Sequence, residues 1–586
     1  MLVAALCMAA ISSGVALPRA APAPPPEARA RGSARIERTS TQVLSARNTT
    51  GSAEASALRP GAARNRRTAG CALPVNYLRR IRRGYAPGRS PDILMVPREP
   101  NFFGALPAVT SHSGPWNYVQ QVPLVFYGPG SIRSQGDLTL AREATLADIA
   151  PTIAELVGAP FPQSRPGRAI SEALVPEPAR RRPALVLTIV WDGGGWNVLN
   201  TWPKAWPTLA RMARRGTSVS NVVVGSSPSV TPAVHATIGT GAFPKQHGVV
   251  DIPLRTPDGV VPYSFPLGSS HLLEMRTLAD LYDPTSHNRA RIGMFAFQFF
   301  HLGMMGHGAS LPGGDRDIAV IAEREDGQFV TRSGDFFTNE GSYYLPPYTS
   351  SVPGFGEDLR AVDLEDGRLD SRWGGTIDLR DPSHVRHSPV WVRYQTRVIE
   401  EVMRKEGFGR DRIPDLFFVN YKEIDDVGHN WNMLGRQTRD TLRASDDMLA
   451  RLIHWLDQTV GRNRWVIALT ADHGQTPLPT EVGAWPIRMN ALTYDVARHF
   501  GVRAGDLFAE ERPAGLWLRR STMAANGITA EEISSYLLDY RIRDNASGAS
   551  GIPRQYRKRM GERVFSAVFP GRSLGSIWRC ARRATP

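Results

Sequence analysis

Two Asp–His groups stand out by their spacing: Asp425 with His429 four residues on, and the adjacent pair Asp472 and His473. Asp192, ahead of Gly193, adds a third carboxylate, and His112, between Ser111 and Ser113, a third imidazole. Carboxylate oxygen and imidazole nitrogen are donors that hold divalent ions such as zinc, and three of each suffice for two metal sites. A candidate nucleophile, Thr231, precedes Pro232. Proline suits the first position of a helix, which makes Thr231 the expected N-cap. A hydroxyl there faces free backbone N–H groups and the positive end of the helix dipole, a setting that suits a phosphate. Threonine is a weak nucleophile at neutral pH, but a metal ion can activate it, as zinc lowers the pKa of bound water from about 15.7 to about 7. Singly, each residue has an ordinary reading: Asp after a strand closes turns, a lone His is structural, and Thr caps helices.

Only a scaffold that gathers distant segments can bring these residues together. Apolar runs at Ala184–Val190, Asp415–Asn420 and Trp465–Thr470 lead directly into Asp192, Asp425 and Asp472. A fourth run, Asp92–Val96, leads after a loop to His112. Runs apolar on both faces, separated by helical stretches such as 436–456, predict an α/β fold: a mostly parallel sheet with helices on both faces. Ligands in such sheets sit beyond the carboxyl ends of the strands, where all four polar clusters are expected.

The 586 residues, 42% hydrophobic and 21% charged, exclude a mostly disordered chain, and no apolar run beyond the N-terminus is long enough for a polytopic membrane protein. Three cysteines exclude a disulfide scaffold. Of the net charge of +15, +12 falls between Pro18 and Ser90, where fifteen Arg face three Glu. Residues 18–70 therefore read as an Arg-, Pro- and Ala-rich disordered tether, either simply solvated or touching an anionic envelope or membrane surface. No nucleic-acid-binding module is indicated. Residues 1–17 read as a signal peptide or short anchor, so the protein is expected to be exported, as a secreted chain or one attached to the outer face of the membrane.

The motifs as a set resemble the nucleotide pyrophosphatase/phosphodiesterase branch of the alkaline phosphatase superfamily. The likeness runs through Asp192-Gly193, Thr231 with His235, Thr240-Gly241, His247-Gly248 with Asp251, Gly428-His429 and Asp472-His473-Gly474. It implies two divalent ions, usually zinc. Asp192, Thr231, Asp472 and His473 would hold one, and Asp425 and His429 the other with one further His. The family carries that His downstream of Asp-His-Gly, where nothing suitable follows here. Instead Ser111 to Tyr118, Val122 to Gly130 and Ala147 to Val157 resemble the family's C-terminal section. The resemblance thus implies a circular permutation: residues 71–180 form the displaced section, bearing His112, and 181–586 the remainder of the catalytic core. Pro87 to Ser90 recurs as Pro570 to Ser573 at the two expected joints. Permuted ends should lie close together, which leads us to expect a Cys71–Cys580 disulfide.

The implied activity is hydrolysis of a small phosphate ester through a phospho-threonine intermediate at Thr231. A sulfatase would need Arg where Val230 stands in Ser226 to Val230. Monoesterase relatives place Lys and Arg in a stretch corresponding to Phe295–Leu302, which has neither, so a phosphodiester or pyrophosphate substrate is expected. The family's Asn after Asp251, a donor to the phosphoryl oxygen, is Ile252 here. That loss, with the basic tether, keeps open a non-catalytic or transferase-like relative that holds an anionic envelope ligand. Segments 253–385 and 488–564 are expected to form cap insertions.

Overall fold

The computed structural model describes residues 60–104, 110–323, 336–547 and 551–584. The chain divides at Gly61, and the unit from Ala62 onward holds every element used below. The signal segment and most of the tether lie outside the described residues. Helix α1 (Pro60–Cys71) begins inside the stretch read as tether, where Arg66 bonds Ser535.

In chain order the strands are β1 (Ile93–Pro97), β2 (Leu124–Tyr127), β3 (Gly136–Leu138), β4 (Leu185–Trp191), β5 (Thr217–Val219), β6 (Ile292–Gln298), β7 (Asp317–Glu323), β8 (Tyr343–Tyr344), β9 (Asp415–Tyr421), β10 (Trp465–Thr470), β11 (Phe508–Arg512), β12 (Gly515–Leu518) and β13 (Phe565–Pro570). The helices that matter here are α2 (Ile149–Val157), α3 (Thr231–Thr240), α4 (Pro389–Glu406), α5 (Glu423–Trp431), α6 (Arg436–Leu456) and α7 (Leu574–Ala584).

Nine strands form one sheet in the order β8-β7-β6-β9-β4-β10-β2-β5-β3. From β8 to β10 every pairing is parallel, with Tyr421 opposite Trp191 and Thr470 opposite Val190. Strand β2 runs antiparallel to both neighbours, β10 and β5. The expected α/β fold is present. Every residue of β4, β9 and β10 is buried. Alternation along β4 sends Val186 and Val190 to one face and Leu187, Ile189 and Trp191 to the other. The first face packs on α2 and α3, the second on α4 and α6. Helix α4 shows how its sequence sets its ends: Ser388 accepts from the Val390 N–H at the start, and Gly407, at φ 78°, closes it.

Two expectations need correction. Strand β1 is not in the main sheet. It lies in a four-stranded antiparallel sheet, β11-β12-β1-β13, because β12 and β13 offer it antiparallel edges on both sides. Segment 253–385 is not simply a cap either, since it supplies β6, β7 and β8 to the main sheet. The parallel partner edge of β9 and the apolar run of β6 draw it into the core.

Cys71 and Cys580 form a disulfide with Cα atoms 5.6 Å apart, tying α1 to α7 across 509 residues of sequence. Cys71→Ser should lower unfolding stability by about 2–5 kcal/mol in denaturant titrations, because the bridge removes a long loop's entropy from the unfolded chain. An unchanged midpoint would show that other contacts already hold these ends.

Candidate active site

The parallel register aligns the ends of β4, β9 and β10, so the residues just beyond them meet at one edge. Asp192 follows β4 directly; its Oδ2 accepts from Asn420 Nδ2 at 3.0 Å and its N–H donates to the Tyr421 carbonyl at 2.9 Å. Gly193 turns the chain away at φ 69° and donates its N–H to Asp472 Oδ1 at 3.0 Å. A Cβ at Gly193 would stand 2.8 Å from that of Asp425, so only glycine lets the two loops approach this closely. Asp192, Asp472 and His473 are wholly buried, and Asp425 nearly so.

Each imidazole is aimed by its backbone. His112 Nδ1 meets the Ser229 carbonyl at 2.7 Å, His429 Nδ1 the Thr110 carbonyl at 3.0 Å, and His473 Nδ1 the Gly474 carbonyl at 3.1 Å. Anchored through Nδ1–H, all three present Nε2 as the free lone pair, the arrangement that orients metal-ligating histidines. His429 Nε2 lies 3.3 Å from Asp425 Oδ2, and His473 Nε2 lies 3.3 Å from Asp472 Oδ2. The rings of His112 and His473 stack at 3.6 Å. Among the described residues Asp425 Oδ1, Asp472 Oδ2 and His473 Nε2 are buried without a hydrogen-bond partner. Unpartnered acceptors at such depth are costly. His112, Asp425 and His429 converge as one donor group, and Asp192, Asp425 and His473 as another. This donor set fits divalent metal ions.

Helix α3 begins at Thr231 itself, with Val230 extended before it, and no side chain caps its first turn. The expected N-cap therefore shifts by one residue. The Thr231 hydroxyl is consequently not spent on its own backbone and faces the site, 3.2 Å from the ammonium of Lys422. His235, one turn along, is held at both ring nitrogens, by the Thr231 carbonyl at 2.8 Å and Asn420 Nδ2 at 3.2 Å. Ile252 offers no polar side-chain atom; its N–H bonds Asp251 Oδ1 and its carbonyl accepts from Ser264.

Lys422 is not among the residues that spacing singles out, yet it stands at the centre. Its Nζ donates to Asp192 Oδ1 at 2.9 Å and Asp425 Oδ2 at 2.7 Å. Its signal was positional: like Asp192, it directly follows a core strand. His301 was also missed, and its Nε2 lies 3.5 Å from Asp192 Oδ2. Burial opposes charge on Lys422, but Asp192 and Asp425 outweigh it and hold the ammonium well above its ordinary pKa. Burial likewise pushes Asp192 and Asp425 up, and Lys422 reverses this, leaving both below the usual carboxylate range. Asp472 is pushed up by burial and by the charge of Asp192. Burial pushes His112 and His473 down, which keeps them neutral and able to ligate.

The model of the type I phosphodiesterase / nucleotide pyrophosphatase family matches residues 186–543. The chain belongs to that family. Alkaline phosphatase PafA of Elizabethkingia meningoseptica is 21% identical over 402 residues, covering 61% of this chain and 73% of PafA. Alkaline phosphatase PhoV of Synechococcus elongatus is 21% identical over 343 residues, 51% of this chain and 60% of PhoV. The crystal structure of wild-type PafA superposes with a TM-score of 0.50 at 17% identity, covering 67% of this chain and 85% of PafA, a likeness of fold. By family the chain is a hydrolase of the phosphatase and phosphodiesterase class.

His112→Ala should lower the content of bound divalent metal, although His112 lies more than 300 residues before Asp425 and His429. Elemental analysis of the purified variant tests this; unchanged metal would remove His112 from the ligand set.

Proposed function

We propose that the protein is a two-metal hydrolase of phosphate esters, most active on phosphodiesters or pyrophosphates, with Thr231 as nucleophile. One observation carries the reading. An uncapped hydroxyl at the first residue of a buried helix lies 3.2 Å from the ammonium of Lys422, which bonds Asp192 and Asp425; these carboxylates converge with His112, His429 and His473 into two donor groups that hold unpartnered buried atoms. Asp192, Thr231, Asp472 and His473 would hold one ion, and Asp425, His429 and His112 the other. Bound there, the ions would neutralise the phosphoryl oxygens and lower the pKa of the attacking hydroxyl.

The chain's own groups supply the rest. The positive end of α3, which begins at Thr231, would favour the negative charge of a phosphoryl group bound there. As the bond from Thr231 Oγ to phosphorus forms, the hydroxyl proton passes to solvent. The bond to the leaving group breaks with its electron pair on the departing oxygen. Water then attacks phosphorus, and Thr231 departs as the new leaving group. The positions of Asn420, Gly193 and the three backbone-anchored imidazoles are fixed before substrate arrives, so little reorganisation accompanies the reaction.

The permutation belongs to the same proposal. It is supported by three observations: His112 converges with Asp425 and His429, β2 completes the sheet beside β10, and the Cys71–Cys580 bridge joins the two ends. The family match begins at residue 186, leaving the section with His112 outside it. Export is supported by the disulfide, which persists in oxidising compartments. No helix among the described residues is long and apolar enough to cross a membrane. Contact of the basic tether with an anionic surface is proposed on charge alone.

Thr231→Ala should abolish turnover of a chromogenic phosphodiester while retaining metal and fold. Rates like those of the wild type in this variant would mean that water attacks directly. Metal-loaded protein that turns over no ester at all would favour the ligand-holding alternative. Diesters should be cleaved faster than monoesters, and Ile252→Asn should raise the rate by restoring a donor; one such contact is typically worth about 2.7–4 kcal/mol in the transition state. Steady-state kinetics with matched aryl mono- and diesters measures both.

A further inference from the structure

The placement of Lys422 has no counterpart in the ligand set just described. It occupies the turn between β9 and α5, three residues before Asp425, and its side chain is 7% exposed as a residue. All three hydrogens of the ammonium are directed: to Asp192 Oδ1, to Asp425 Oδ2 and to Thr231 Oγ1. Two of these acceptors are carboxylates that anchor the cation. The third is the atom that would bond to phosphorus.

A phosphoryl group on Thr231 Oγ places its non-bridging oxygens about 2.5 Å from that Oγ, since both are bonded to one tetrahedral phosphorus. With Nζ 3.2 Å from Oγ, a phosphorus bonded on the side of Oγ that faces Lys422 would bring one of these oxygens within hydrogen-bond reach of the ammonium. The cation need not travel. It need only turn its third N–H from Oγ to the incoming oxygen. The side chain at 252 is hydrocarbon, and the stretch 295–302 holds neither Lys nor Arg, so among these positions Lys422 is the cationic donor nearest the nucleophile.

We propose that Lys422 is a phosphoryl-binding catalytic residue: its ammonium contacts a non-bridging oxygen of the group attached at Thr231, filling the donor role left open at Ile252. This rests on the reading of Thr231 as the nucleophile. A point charge on a flexible stem suits this work, because it follows the oxygen from substrate to phospho-enzyme without demanding a fixed plane. It also has a consequence for charge. A single cation interacts more strongly with a dianion than with a monoanion, so loss of Lys422 should weaken the binding of inorganic phosphate more than that of dimethyl phosphate, whichever ester is cleaved faster.

The test uses the metal-loaded full chain. Affinity for inorganic phosphate and for dimethyl phosphate is measured by calorimetry on the wild type and on Lys422→Met, with metal content determined on the same samples. The expected result is at least a tenfold loss of phosphate affinity, a smaller loss for dimethyl phosphate, and unchanged metal. Added ethylammonium should restore part of the phosphate affinity in Lys422→Ala, which a purely structural role would not allow. If the neutral variants fail to fold, Lys422→Arg keeps the charge but displaces the donor atoms, and should weaken phosphate at least threefold. Unchanged phosphate affinity in a metal-replete variant overturns the proposal, as does an equal loss for both ligands. Binding requires no turnover. An error over Thr231 would therefore show as surviving hydrolysis in Thr231→Ala, whereas an error over Lys422 would leave Thr231-dependent hydrolysis intact.

Discussion

Three carboxylates buried within one pocket are the constraint to which the rest of the molecule answers. Asp192, Asp425 and Asp472 are each almost fully withdrawn from water. Isolated charges at that depth cost several kcal/mol apiece, and like charges side by side cost more. The fold offsets this with Lys422 between two of them, with the Gly193 N–H and Asn420 amide as donors, and with imidazoles ready to share cations. These partners come from four separate stretches of the chain, at His112, Gly193, Asn420 to His429 and His473. Only the register of β4, β9 and β10, extended by what surrounds it, brings them to one edge.

That dependence explains what could and could not be read from the residues alone. Buried parallel strands advertise themselves as continuous apolar runs, and their polar ends carry the buried carboxylates, so Asp192, Asp425 and Asp472 were legible with their elements. Strand β1 has the same apolar character but pairs antiparallel in another sheet. An apolar run declares burial, not which sheet buries it. The insertion 253–385 misled for the opposite reason. The pairing of β6 with β9 is a long-range fact with no local signature.

His112, singled out by resemblance, converges with Asp425 and His429, although the strand expected to deliver it lies in another sheet. The structure supplies the geometric reason. Strand β2 runs against its neighbours, with Leu124 opposite Thr470. In an antiparallel strand it is the residues before it, not those after it, that reach the carboxyl edge of the sheet. His112 therefore arrives at the site from the leading side of β2, and the carbonyl of Ser229, two residues before Thr231, fixes its ring. Lys422 escaped notice because lysine is rarely buried and no motif includes it. Its meaning lies in its three acceptors, which only the folded chain assembles.

The bridge between Cys71 and Cys580 also sets an order of events during synthesis. Its partners are 509 residues apart, and Cys580 lies in the final helix, α7. A ribosome must add 509 residues after Cys71 before this pair can close, and His112 likewise waits through more than 300 residues for Asp425 and His429. The early section is thus held in reserve, with its β2 edge unpaired until β10 emerges. Contacts of such long separation slow folding and prolong exposure of sticky strands. A chain built this way leaves an early strand edge open while the segment that pairs with it is still being made.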